Sequence, residues 1–167
     1  MESFFAPSIA ARVAIHSTWY RSTGRFAGRA WISIDGEEVG DFSDARWWRR
    51  HWELATAIRE VNRDTDYRDP GGRIAHQKAG EAATETLHRS GVLSRNDFYE
   101  ALIAYPNLSV EDALESALPL FRALAVLDRR LGKRRLATLE LLAEEHPVVT
   151  TLLEFRCRCE KVSRKAT

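Results

Sequence analysis

The stretch that decides the fold is Arg29-Ala-Trp-Ile-Ser-Ile-Asp-Gly36. Its side chains are β-branched or aromatic in near alternation, which is typical of a β-strand. The closing pair Asp35-Gly36 predicts a tight hairpin, because a type I′ turn needs positive φ at both central residues. The chain should therefore return into a short strand around residues 37 to 41.

The preceding segment, Arg12-Val-Ala-Ile-His-Ser-Thr-Trp-Tyr20, has the same pattern and predicts the first strand of a three-stranded antiparallel meander. Alternation assigns its side chains to two faces. The face expected to pack against helices carries Val13, Ile15, Trp19, Ala30, Ile32 and Ile34. The other face carries His16, Thr18, Tyr20, Trp31 and Ser33, flanked by Arg21, Arg25 and Arg29. Such a face can stack a base or grip a partner loop, and the alternative is that a helix covers it.

The rest of the chain predicts helices. The first runs from Ser43 or Asp44 to about Asn62, followed by a polar loop to Gly72 and a helix over residues 73 to 90 that Gly91 closes. Capping patterns at Ser94-Arg-Asn-Asp97 and Ser109-Val-Glu-Asp112 start two short helices. A leucine stripe then predicts one helix that Gly132 ends, at Leu120, Leu124, Leu127 and Leu131. Two further helices lie on either side of His146-Pro147, marked by Leu136, Leu139 and Leu142, then by Leu152, Phe155 and Cys159.

The expected fold class is α+β, an N-terminal three-stranded antiparallel meander followed by a helical C-terminal part. A chain of 167 residues suits one domain, with the small sheet in residues 1–42, the helical part in 43–161 and a disordered tail in 162–167.

Lys and Arg total 25 against 24 Asp and Glu, so the net charge of +1 provides no general attraction to nucleic acid. No apolar run reaches the ~20 residues that span a bilayer, so no membrane partner is expected. Cys157 and Cys159, two positions apart, are the two cysteines of the sequence and are typical of a reduced, cytoplasmic protein.

Five cations surround a predicted helix junction, at Arg129, Arg130, Lys133, Arg134 and Arg135. This basic corner is the second candidate binding surface, because the start of the following helix would add free N–H groups that favour phosphate. A structural role, in which the cations pair with nearby acids, is favoured over phosphate binding. Those acids are Asp128, Glu140, Glu144 and Glu145.

The segment Trp47-Trp48-Arg49-Arg50-His51-Trp52 is the densest aromatic cluster. On a helix it is apolar across a wide arc, which is typical of a buried helix. We therefore expect these tryptophans to be core residues, with an interaction surface as the alternative.

Catalytic patterns are weak. His16-Ser-Thr18 matches the H-x-T of two-motif phosphoesterases, but the second match, His88-Arg-Ser90, falls at the end of a predicted helix where that class needs a strand. Cys157, Cys159 and His146 do not have the spacing of a structural zinc site. No phosphate-binding loop or nucleophile-elbow motif occurs. No catalytic residue, metal or cofactor is predicted.

Three segments resemble a family of small uncharacterised bacterial proteins. They are His16-Ser-Thr-x-Tyr-Arg21, then Gly28-Arg-Ala-Trp-Ile-Ser-Ile-Asp-Gly36, and Ala123-Leu-Ala-Val-Leu-Asp-Arg-Arg-Leu-Gly-Lys-Arg-Arg-Leu136 with its sequel Glu145-His-Pro147. The resemblance covers nearly the whole chain and implies a bacterial source, but it carries over no site residue.

These observations favour a non-enzymatic bacterial binding protein that acts on another protein, as an immunity or regulatory factor. The alternative is an RNA- or DNA-binding protein that uses the basic corner and the outer sheet face. A phosphoesterase or nuclease built on His16 is a more distant alternative. The oligomeric state is left open.

Overall fold

The computed structural model describes residues 4–20, 28–62, 66–140 and 145–163. Its sheet is antiparallel in the order β1 (Val13–Trp19), β2 (Gly28–Ile34) and β3 (Glu37–Ser43). Asp35 and Gly36 have φ of 51° and 87°, so the predicted hairpin turn is confirmed. The α+β fold class, a three-stranded antiparallel meander followed by helices, is confirmed with it.

The helices within the described residues are α1 (Asp44–Asn62), α2 (Pro70–Arg89), α3 (Arg95–Ala104), α4 (Val110–Glu115), α5 (Pro119–Leu127), α6 (Lys133–Thr138) and α7 (Pro147–Glu160), with a 3-10 turn at Tyr105–Asn107. Both predicted capping patterns are present: Ser94 and Asp97 form a complete capping box, and the Ser109 side chain accepts from the Asp112 N–H. None of the described helices is both long and apolar enough to cross a membrane.

The core lies between one face of the sheet and helices α3, α5 and α7. From the sheet it takes Val13, Ala30, Ile32 and Phe42. The Phe42 ring stacks on Phe98 of α3 at a centroid distance of 4.7 Å, which joins the sheet to the helical layer. Trp19, predicted for this face, is 54% exposed instead. It ends β1, beyond the packed helices, and its ring lies against the Arg95 side chain.

Helix α2 begins at Pro70, three residues before the predicted start. The Asp69 side chain accepts from the Gly72 N–H at 3.2 Å, and Pro70 takes the first helical position, where no N–H is needed. The Asp-Pro pair predicted as the end of a loop is therefore the beginning of the helix.

Helix α5 ends at Leu127, although the leucine stripe predicted one helix as far as Gly132. The N-terminal segment causes the difference: Phe5 bridges to Asp128, and the Ala6 N–H donates to the Leu127 carbonyl at 2.9 Å. Leu131 is buried all the same, in a turn rather than in a helix. The spacing of the leucines therefore predicted the burial of Leu131 correctly but predicted its backbone conformation wrongly.

Two further predictions concern the C-terminal third. The helix predicted through Leu139 and Leu142 is shorter, because α6 ends at Thr138, and Leu142 lies outside the described residues. Of the expected tail, Val162 donates its N–H to the Cys157 carbonyl at 2.9 Å and packs against the core, whereas residues 164–167 lie outside the described residues.

Candidate functional site

The outer face of the sheet, predicted as a binding surface, carries polar and aromatic side chains that bind one another. His16 stacks on Trp31 with ring centroids 4.9 Å apart, and its Nε2 lies 2.7 Å from Oγ of the buried Ser33. The Arg29 guanidinium lies 5.0 Å from the Trp31 ring centroid and donates to Asp41 at 2.6 Å. These groups are engaged within the protein, which reduces what the face offers to a ligand.

The remaining residues predicted for this face are Thr18, Tyr20 and Arg21. Thr18 is half-buried, and Tyr20 is exposed just after the end of β1. Arg21 lies outside the described residues. The structure therefore brings His16 into contact with Trp31 and Ser33 but shows no complete site there.

The two histidines of the phosphoesterase hypothesis make separate contacts. His16 binds Ser33 on the sheet, whereas His88 ends α2 and its Nε2 lies 3.2 Å from Oδ1 of Asp97. Among the described residues no contact joins the two histidines. In the same part of the chain, no group of three or more His, Cys, Asp and Glu side chains is placed to hold a metal ion.

The basic corner divides into paired and unpaired cations. Arg130 binds the buried Asp128, with Nη2 and Oδ2 2.7 Å apart, and Arg135 pairs with Glu111. Lys133 donates to the Glu160 carbonyl at 3.2 Å. Arg129 and Arg134 are exposed and make no ion pair with a described residue.

The predicted pairing acids have different outcomes. Asp128 binds a cation of the corner, whereas Glu145 pairs instead with Arg122 of α5 at 2.8 Å. Glu144 lies outside the described residues. The helix that follows, α6, has only six residues, and its first N–H groups are partly used because those of Arg135 and Leu136 donate to the Gly132 carbonyl. The phosphate interpretation therefore loses much of its support.

Asp128 is the buried centre of that corner. Burial opposes its ionisation, but hydrogen bonds from Arg130 and from the Tyr105 hydroxyl outweigh burial and lower its pKa. For Tyr105, burial and the same hydrogen bond raise the pKa. The carboxylate is therefore a structural anion that holds the turn after α5.

The tryptophans of α1 are not core residues, contrary to the prediction. Trp47 is half-buried and stacks on His51 at 4.7 Å, but Trp48 is 48% exposed and Trp52 is 69% exposed. The packing partner of α1 is α2, which covers one side only: His51 Nε2 lies 3.0 Å from the Gly80 carbonyl oxygen. The opposite side of the aromatic arc faces solvent.

A cleft of about 570 Å³ lies where the end of β1 meets the first turns of α1 and α3. Its walls are aromatic, from Trp19, Trp47, Trp48 and Tyr99, and Arg95 lies among them. We call it the Arg95 cleft. The Arg95 guanidinium lies 4.2 Å from the Trp19 ring centroid, which is a close cation–π contact.

Polar groups position these walls. Asp44 at the start of α1 accepts from the Arg95 backbone N–H at 3.1 Å, and its Oδ2 lies 3.1 Å from Arg95 Nε. The Tyr99 hydroxyl donates to Ser17 Oγ at 2.5 Å, which ties α3 to β1. The Ser94 hydroxyl donates to Asp97 at 2.8 Å and caps α3. These contacts fix the first turns of α1 and α3 and the end of β1 around the cleft.

Sequence reasoning missed this site. Arg95 and Tyr99 looked like ordinary residues of a short helix, and Trp19 was assigned to the core face. The one available signal was the aromatic density at Trp47 and Trp48, because interfaces and ligand clefts are enriched in such side chains.

The comparisons with known proteins concern the whole chain. No curated protein and no solved structure matches it significantly. The profile of the SF0329 protein family matches residues 1–157. Because that match spans most of the 167 residues, the chain belongs to the SF0329 protein family.

Proposed function

We propose that this protein is a non-enzymatic binding protein whose partner is another protein, held by exposed tryptophans beside the Arg95 cleft. The single observation that carries this proposal is the exposure of Trp19, Trp48 and Trp52, which are 54%, 48% and 69% exposed. We call these three side chains the tryptophan ridge. Trp19 and Trp48 line the same cleft, and Trp52 follows one turn later on the same side of α1.

Such a ridge is well suited to anchoring a partner. Each tryptophan buries ~150–250 Å² when covered, so three supply a substantial part of one side of a protein interface, which is ~800 Å². Tryptophan and arginine are the side chains that most often dominate binding energy. Ile103 on α3 is also exposed but does not line the Arg95 cleft.

The charge beside the ridge favours an acidic partner segment. The first turns of α1 expose Arg46, Arg49 and Arg50, and the nearest exposed acid on that helix is Glu53. Arg46 is neutralised by Asp41 at 2.5 Å, and Arg50 lies 3.6 Å from Glu53. Arg49 makes no ion pair with a described residue. A segment that combines an apolar side chain with Asp or Glu therefore complements the surface, as a regulated protein or a toxin held by an immunity factor would.

Panning a displayed random-peptide library on the purified protein tests the proposal. We expect the wild type to enrich peptides with an acidic residue next to an aromatic or aliphatic one. Trp52→Ala and Trp48→Ala should each weaken the selected peptides at least tenfold in fluorescence anisotropy. Ile103→Ala, which removes an equally exposed apolar side chain on α3, should bind them like the wild type.

Two results would contradict the proposal. One is a selection that enriches no common peptide, or peptides that bind all variants equally. The other is salt-sensitive binding of single-stranded RNA that survives both tryptophan changes and is lost on Arg129→Ala with Arg134→Ala, which would instead support the nucleic-acid alternative.

A further inference from the structure

Three arginines in the described part of the protein are at least nine-tenths buried: Arg95 and Arg122 are 7% exposed and Arg156 is 1% exposed. A guanidinium carries five N–H donors, and a buried donor without an acceptor costs ~1–3 kcal/mol. The partners of each buried arginine therefore show whether it serves the fold alone.

Arg122 and Arg156 use their donors within the fold. Arg156 donates to the backbone carbonyls of Val126, Asp128 and Leu131 at 2.5, 2.6 and 2.5 Å. Arg122 binds Glu145 with Nε and Nη2 and the Ser116 carbonyl with Nη1. Both side chains join neighbouring segments of the fold, and few of their N–H donors remain for a ligand.

Arg95 differs from both. Its charge is balanced by Asp44, 3.1 Å from Nε, but that contact lacks hydrogen-bond alignment, and the buried Nε has no hydrogen-bond acceptor. No hydrogen bond among the described residues has an Arg95 side-chain donor. The buried indole Nε1 of Trp47, on the wall of the same cleft, also has no acceptor. Two residues of the cleft wall thus each have a buried donor atom without an acceptor.

We infer that the Arg95 cleft binds a carboxylate, with Arg95 and Trp47 as donors and the tryptophan ridge beside it. A planar guanidinium matches the two oxygens of a carboxylate, and the aromatic walls suit the apolar stem of the group that carries it. Phosphate fits less well, because its second charge would meet Asp44 and Asp97, which both line the cleft. Resting on the proposed function, this inference identifies the carboxylate as an Asp or Glu side chain of the partner segment.

Gly28 at the start of β2 leaves the space that the Arg95 guanidinium occupies. A Cβ atom at this position would lie 2.4 Å from Nη1 of Arg95, so Gly28→Ala must displace the end of that side chain. The arginine is flexible and the neighbouring backbone is not touched at that distance, so the fold should tolerate the change. Gly28→Ala is therefore a way to disturb the site without removing its cation.

Nuclear magnetic resonance of the 15N-labelled protein tests the inference on the wild type. The five tryptophans provide five indole N–H signals, and Trp47→Phe identifies that of Trp47. We expect N-acetyl-phenylalanyl-glutamate amide to shift the Trp47 and Trp19 signals with Kd on the order of 1 mM. The glutamine analogue should bind at least tenfold more weakly, because it lacks the charge.

Two further probes and three variants identify the source of the anion and the residue that holds it. N-acetyl-phenylalanine presents a chain-terminal carboxylate, and inorganic phosphate presents a doubly charged anion; both should bind more weakly than the glutamate probe. Arg95→Lys and Gly28→Ala should each weaken that probe about tenfold or more. Arg158→Lys, the same change at an exposed position on α7, should not.

The outcomes separate this inference from the proposed function. Equal binding of the glutamate and glutamine probes, tighter binding of phosphate, or unchanged binding by a folded Gly28→Ala variant would each overturn the carboxylate site. The proposed role of the tryptophan ridge in protein binding would still be supported by the selected peptides. Conversely, the glutamate probe could shift the Trp47 signal although no peptide is selected. That result would support the carboxylate site in the Arg95 cleft and contradict the proposed protein partner.

Discussion

Arg156 on α7 is the largest of the fully buried side chains, and replacing it with methionine tests how strongly a fully used arginine holds the helical layer together. The change keeps most of the apolar stem but removes every donor. The Asp128 carbonyl still accepts from the Leu131 N–H at 3.1 Å, whereas the carbonyls of Val126 and Leu131 lose the donor that Arg156 supplies. Glu160 loses the cation that lies 3.0 Å away.

The magnitude follows from these losses. Two unsatisfied carbonyls cost ~2–6 kcal/mol together, and an uncompensated buried carboxylate costs ~3–5 kcal/mol. Because these terms overlap and Glu160 keeps a hydrogen bond from Ser8, we expect a net loss of about 4 kcal/mol in the free energy of unfolding. That is a large part of the ~5–15 kcal/mol of a typical domain, and it should lower the melting temperature by roughly 8–16 °C.

Urea denaturation followed by circular dichroism measures the loss directly. Arg158→Met is the matched control, because Arg158 lies two residues further on and is exposed, so its replacement should change stability by no more than ~0.5 kcal/mol. A loss below ~1 kcal/mol for Arg156→Met, or equal losses for the two variants, would refute the reasoning that unsatisfied carbonyls and a buried charge dominate here.

Two further predictions concern His146 and the glycines. The His146 ring accepts from the Val148 N–H at the start of α7 and binds the Gly91 carbonyl, and burial lowers its pKa. The unfolded chain therefore takes up this proton at higher pH than the folded one, so stability should fall as the pH drops below ~6.5 until the folded ring also titrates. His146→Asn should show a shallower loss between pH 7 and pH 5 in urea titrations. Gly36 and Gly91 both have positive φ, but a Cβ at Gly91 would lie 2.3 Å from the His146 ring and one at Gly36 would meet nothing within 4 Å. Thermal melts should therefore show Gly36→Ala losing ~1–2 kcal/mol and Gly91→Ala clearly more, and equal losses would contradict the contact.

Local signals account for the parts of the fold that could be predicted. The Asp35-Gly36 turn, the Ser94 capping box and the strand alternation each depend on residues a few positions apart, so their chemistry is visible in the sequence. The end of α5 at Leu127 depends instead on pairing with residues 4–6, more than a hundred positions away. No periodicity within the leucine stripe records that contact.

The binding site was less predictable for the same reason. The aromatic arc of α1 predicted burial, but α2 packs on it through small residues such as Gly80 and covers one side only. Arg95 meets Asp44 across 51 positions and meets Trp19 across an even longer gap. Composition indicated that tryptophans matter, and only the fold showed which of them remain at the surface.

Buried polar groups around α5 and α7 differ in hydrogen bonding from those around the first turns of α1 and α3. Around α5 and α7, buried arginines and Asp128 are bound by carbonyls, carboxylates and hydroxyls, so local choices and the global fold agree. Around the first turns of α1 and α3, a buried guanidinium and a buried indole N–H lack acceptors, and aromatic rings face solvent. Selection for stability alone would favour an apolar side chain in place of Arg95, because a buried donor without an acceptor is destabilising. It would also favour burial of Trp52, whose apolar surface is exposed to water. Departures of this kind are expected where a surface is kept for a partner. Here Arg95 and Trp47 line one cleft, and Trp52 follows one turn after the Trp48 of its wall.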